Sequence, residues 1–170
     1  QSGDFVQLEN DKLERVQLTG DQQHAVGYDS HPYEPAFREN WNDVYVIDVQ
    51  SGNTKKVLER QERVSSSPGG AYLYYFKDNN WWTYSIKSGK HINITEGIDA
   101  HFENYKSIHG TESFPPFGTG QWVDGDDWLL VYAEYDVYRV WANGKKHKNL
   151  TNAAYDEIQY RQARLDYAKE

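Results

Sequence analysis

Three stretches of the chain repeat one short pattern: Asp43-Val44-Tyr45-Val46-Ile47-Asp48-Val49-Gln50-Ser51-Gly52, Trp82-Thr83-Tyr84-Ser85-Ile86-Lys87-Ser88-Gly89 and Asp136-Val137-Tyr138-Arg139-Val140-Trp141-Ala142-Asn143-Gly144. Each alternates aromatic or β-branched residues with polar ones, reaches a Ser-Gly or Asn-Gly turn, and continues into a second short run at 55–58, 91–95 or 147–151. Apolar residues at period two, drawn from Tyr, Trp and Val, predict strands and argue against stacked helices. Strand, tight turn and strand make a hairpin.

Upstream of each hairpin lies a further apolar run, at 24–28, 72–76 and 128–132, preceded by a turn at Gly20-Asp21, Pro68-Gly69-Gly70 or Asp124-Gly125-Asp126. The unit is therefore a small antiparallel sheet. The turn glycines Gly52, Gly89 and Gly144 stand 37 and 55 residues apart, bracketing the ~40–50 residues of one β-propeller blade. The expected fold is all-β: a partial propeller of about three four-stranded antiparallel blades, at 16–62, 63–98 and 118–153, plus the start of another at 157–168. These form one domain over residues 1–170, interrupted by an insert at 98–120.

A chain of 170 residues is too short for a closed ring of many blades. An incomplete ring leaves open sheet edges, so the chain is expected to be a piece of a larger propeller and, in isolation, to self-associate. The absence of any Met agrees with that expectation.

A formal charge of −8 with no clustered basic face excludes a nucleic-acid partner. The one basic run, Lys145-Lys146-His147-Lys148, reads as a solvated hairpin exit. Without Cys there is no disulfide framework and no thiolate nucleophile. No run approaches the ~18 apolar residues of a membrane span, and residues 1–10 lack the regions of a signal peptide.

The chemistry the residues offer is thin. Ser65-Ser66-Ser67 precedes Pro68-Gly69-Gly70 without the Gly-x-Ser-x-Gly elbow of a serine hydrolase, so these serines read as turn supports. The six histidines, His24, His31, His91, His101, His109 and His147, have no metal-ligand spacing. Asp124, Asp126 and Asp127 lack the rest of a calcium loop and read as a polar hairpin turn. Among 26 acidic residues no pair is singled out for glycoside hydrolysis. Asn93-Ile94-Thr95 and Asn149-Leu150-Thr151 match the glycosylation sequon but fall at the same place in two blades, so the repeat accounts for them. Tyr45, Trp82, Tyr84, Tyr138 and Trp141 read as filler between sheets, with a sugar-stacking platform as the alternative. Two loops interrupt the pattern, Asp29 to Asn42 and the insert 98–120. The insert is longer than ~12–15 residues, a length usual for functional or disordered loops, so it is either a contact for a partner or substrate or simply the crossing from one blade to the next. It makes His101, Glu103 and Tyr105 the substrate-contact candidates.

Taken together, Asp29-Ser30-His31-Pro32-Tyr33-Glu34-Pro35, Ser67-Pro68-Gly69-Gly70-Ala71-Tyr72-Leu73, Phe114-Pro115-Pro116-Phe117-Gly118 and Lys148-Asn149-Leu150-Thr151-Asn152 resemble the N-terminal β-propeller of bacterial prolyl oligopeptidase family serine peptidases, of the dipeptidyl aminopeptidase and acylaminoacyl peptidase type. The similarity runs from about Val16 to Asp166. It implies a non-catalytic propeller in an exported protein, without cofactor or metal, that gates access and helps bind peptide substrates. Its partner would be a C-terminal α/β-hydrolase domain of the same polypeptide, carrying the triad beyond Glu170. In dipeptidyl peptidase relatives a glutamate pair from the propeller holds the substrate's amino terminus; Glu103 has no adjacent partner, so that role is not carried over. The alternatives are a protein-interaction propeller of an envelope complex and a carbohydrate-binding β-module.

Overall fold

The computed structural model describes residues 12–35, 40–107 and 114–161. Within them twelve strands form three four-stranded antiparallel sheets, each a simple meander. The first sheet holds β1 (Arg15–Leu18), β2 (His24–Asp29), β3 (Asn42–Asp48) and β4 (Thr54–Gln61). β5 (Val64–Ser66), β6 (Tyr72–Lys77), β7 (Asn80–Ser85) and β8 (Lys90–Asn93) make the second. The third comprises β9 (Thr119–Val123), β10 (Trp128–Tyr132), β11 (Val137–Trp141) and β12 (His147–Asn149). The chain is an all-β partial propeller, and the sheets are its blades 1, 2 and 3. Residues 157–161 of the expected further blade are not in strand, and the remainder of that segment, 162–168, lies outside the described residues.

Alternation along the middle strands assigns each residue to one blade interface or the next. Val26, Tyr28, Val44 and Val46 of blade 1 pack against Val64, Leu73, Tyr75 and Tyr84 of blade 2. Trp81 and Ile94, from the other face of blade 2, meet Leu129, Val131, Tyr138 and Val140 of blade 3. Burying one such side chain contributes about 1.5–3 kcal/mol, so these two layers dominate the stability of the stack. The far face of blade 1, Ala25, Tyr45 and Ile47, is covered by Leu13 from the segment before β1. On the far face of blade 3 the Arg139 guanidinium lies between two indoles, 3.8 Å from the Trp128 ring and 4.4 Å from the Trp141 ring.

A meander places alternate turns at opposite ends of each sheet. One end carries the β1–β2, β5–β6 and β9–β10 turns, and these interlock. Asp126 accepts the backbone N–H groups of Gly69 and Ala71 at 2.7 and 2.8 Å, tying blade 3 to blade 2. Ser67, fully buried, accepts the Tyr72 N–H on its hydroxyl oxygen at 3.0 Å, so it closes its own turn. The two sequon threonines also do matching structural work. Thr95 Oγ1 accepts the Trp81 N–H at 3.0 Å and Thr151 Oγ1 accepts the Val137 N–H at 3.1 Å. The other end carries the β2–β3, β6–β7 and β10–β11 turns together with the connections between blades, and there the insert is docked.

Candidate functional site at the insert end

The insert is anchored at its root by backbone hydrogen bonds. Asn79, in the β6–β7 turn at φ 54°, accepts the N–H groups of both Phe102 and Glu103 on Oδ1, each at 2.9 Å. Asn tolerates this left-handed conformation better than most residues. The Glu134 N–H, in the β10–β11 turn, donates to the His101 carbonyl at 3.1 Å. Phe102 is 1 % exposed, lying edge-on to Tyr138 with centroids 5.9 Å apart. The returning limb adds an antiparallel bridge between Glu103 and Pro116, with Asn104 N–H to the Pro115 carbonyl at 2.7 Å. Residues 108–113 of the insert, His109 among them, lie outside the described residues.

This anchoring sets the candidate side chains. Tyr105 donates its hydroxyl to Glu134 Oε2 at 2.9 Å, and the Lys106 ammonium reaches Glu134 Oε1 at 2.6 Å. That ammonium also lies 5.7 Å from the Tyr105 ring centroid and 6.0 Å from that of Tyr135. Carboxylate and aromatic faces together make a cage around one cation. The hydrogen bond from Lys106 holds the Glu134 carboxyl below its ordinary range against the opposing effect of burial. In return, Glu134 raises the pKa values of Lys106 and Tyr105 through the same hydrogen bonds. His101 is exposed and stands edge-on to Tyr105, with centroids 5.8 Å apart. The structure therefore brings His101 and Tyr105 together. Glu103 is held at its backbone, and its carboxylate bonds to no described residue. Glu134 and Lys106 are the members that sequence reasoning missed. The signal available was positional, since Ala133-Glu134-Tyr135-Asp136 occupies the same turn in blade 3 as Asp78-Asn79 does in blade 2.

His31 and His91 make their side-chain hydrogen bonds to Asp29 and Tyr75 rather than to a serine. Among the described residues no group of three His, Asp or Glu could hold a metal ion, and no helix is long and apolar enough to cross a membrane. Gathered at this end are the Glu134 carboxylate, the Lys106 ammonium, the Tyr105 and Tyr135 rings and the His101 imidazole.

The chain matches no protein-family model and no curated protein. Its fold does match solved structures. Against the dipeptidyl peptidase 4 of Porphyromonas gingivalis the TM-score is 0.51 at 13 % identity, covering 82 % of this chain and 25 % of that one. Against the β-propeller domain of the Trilobed protease from Pyrococcus furiosus the TM-score is 0.47 at 16 % identity, covering 82 % and 43 %. A chain of the mitotic checkpoint complex aligns at a TM-score of 0.39 and 13 % identity, covering 82 % and 41 %. The chain thus spans less than half of each of these neighbours. At this identity the likeness to the dipeptidyl peptidase 4 structure is one of fold alone.

Proposed function

We propose that this chain is the non-catalytic propeller region of an exported serine peptidase of the prolyl oligopeptidase type, gating access and helping to bind peptides for a hydrolase domain outside it. The observation that carries the reading is the insert end: a loop pinned across blades 2 and 3 that gathers His101, Tyr105 and Lys106 about Glu134. A propeller fold with recognition groups gathered at one end suits a gate rather than a catalyst. Its likeness to a dipeptidyl peptidase 4 structure supports the same direction. The Glu134 cage already holds one ammonium, so a peptide that brings its own cation competes with Lys106.

The test is a titration of the isotope-labelled chain with short unblocked peptides, read by NMR. Saturable shifts confined to His101, Tyr105 and Glu134, weakened in Tyr105→Ala, are expected. Shifts elsewhere, or none with any peptide, would overturn the assignment of this end as the peptide contact.

A further inference from the structure

Outside the insert cluster a pocket of about 560 Å³ lies between β4 of blade 1 and β6, β7 and β8 of blade 2. That volume falls within the ~300–1,000 Å³ of small-molecule sites. Its floor is a closed pair. The Tyr75 hydroxyl and His91 Nδ1 are 2.8 Å apart, with the Val57 backbone on the imidazole's other side. Burial holds His91 below its ordinary pKa, so the floor is uncharged. Trp82 forms the apolar wall, stacked on Tyr75 with centroids 6.5 Å apart and planes 13° from parallel. Its indole N–H donates to the Lys77 carbonyl at 3.2 Å, which fixes the ring.

The rim carries two cations and two anions. On the β4 side the Lys56 ammonium is shared between Glu59 at 2.5 Å and Asp43, behind the rim, at 3.2 Å. Lys77 and Asp78 are neighbours in the chain on the other side, and neither side chain bonds to a described residue. The rim thus offers donors and acceptors side by side, and its β4 cation is already taken up by two carboxylates, so it holds no free cation there for an anionic group. A ligand that suits it is neutral, has a flat apolar face for the indole and presents vicinal hydroxyls to Lys77 and Asp78. The geometry points to a saccharide-binding pocket at this rim, with Trp82 as the stacking wall and Lys77 and Asp78 as the hydroxyl contacts. Of the five aromatics that the sequence offered as a sugar platform, Trp82 alone lines this pocket.

The test uses the chain labelled with 5-fluorotryptophan and followed by fluorine NMR, the Trp82 signal being assigned with Trp82→Phe. Probes are maltose, cellobiose and chitobiose, with the zwitterionic dipeptide Gly-Phe as the contrast. The Trp82 signal should shift saturably with at least one disaccharide. Asp78→Asn removes the charged acceptor while keeping a residue that tolerates the φ of 51° at this position, and it should weaken that binding about tenfold. No shift with any disaccharide, a shift with Gly-Phe alone, or a response unchanged in Asp78→Asn would each overturn the assignment. None of these outcomes bears on the insert cluster, which lacks a tryptophan.

Discussion

A single side-chain oxygen on Asn79 satisfies two backbone donors of the insert, one of them on the fully buried Phe102. Replacing it with Ala leaves those donors without their acceptor and puts at a left-handed φ a residue that tolerates it less well than Asn. Asn79→Ala should therefore cost about 2–3 kcal/mol in urea unfolding, whereas Asn79→Asp, which keeps the acceptor, should lose much less. Equal losses would remove the clamp from the account. At the neighbouring cage, Lys106 lowers the Glu134 pKa, so the interaction stabilises the fold above the ordinary carboxylate range and fades as pH falls through the lowered value. In Lys106→Met the Glu134 carboxyl should titrate higher, read by carbon-detected NMR; an unmoved titration would contradict the pairing. Neither residue's part was legible in the sequence. Asn79 reads as one more turn residue, because its partners lie more than twenty positions away. Glu134 reads as an acid beside a hairpin, because nothing local announces Lys106. Ser67 was legible, since its partner Tyr72 lies five residues away in a recognisable turn, whereas the repeat marked the position of Thr95 but not its bond to Trp81, fourteen residues back.

At the scale of elements, the turns do the fitting between blades. Gly144 ends β11 at φ 69°, and a Cβ there would stand 2.7 Å from Ile92 Cγ2 of blade 2 and 3.3 Å from the Asn93 carbonyl. Gly97 shares the positive φ, at 76°, but has open space around it. Gly144→Ala should thus lower the urea midpoint clearly more than Gly97→Ala, the excess measuring the contact between blades. Matching losses would mean that only the backbone conformation counts, at about 1–2 kcal/mol. The loop between β2 and β3 adds a pH-dependent tie. His31 Nδ1 sits 3.0 Å from Asp29 and its Nε2 3.5 Å from Glu14. The hydrogen bond to Asp29, aided by the charges of Glu14, Asp29 and Glu34, raises the histidine's pKa against the opposing effect of desolvation. A raised value means that the stabilisation is complete below the unfolded pKa and is lost as pH climbs through the folded one. Melting temperatures at about pH 5.5 and about pH 8 should differ less in His31→Ala than in the parent; an unchanged difference would count against the tie. The hairpins themselves were plain in the sequence, because Gly52, Gly89 and Gly144 each close an alternating strand. The insert's docking was not, because it rests on Phe102 entering a core built by two other sheets.

Over the whole molecule, three blades bury two inter-blade layers and leave the outer faces unequal. Leu13 closes the far side of blade 1. The far side of blade 3 shows a Trp128–Arg139–Trp141 stack, with no carboxylate on Arg139 among the described residues. Sheet faces and edges of that kind favour association, so the isolated chain should run above its 19.8 kDa mass in light scattering, and Trp141→Glu should lower the apparent mass. A monodisperse monomer would count against the open stack. The central claim concerns what such a stack serves in its native protein. The most direct measurement is to recover that protein from its source with an antibody against this chain and label it with a serine-reactive fluorophosphonate probe. The account predicts a labelled band far heavier than 19.8 kDa; a heavy band that takes no label would contradict it and make the propeller a binding scaffold.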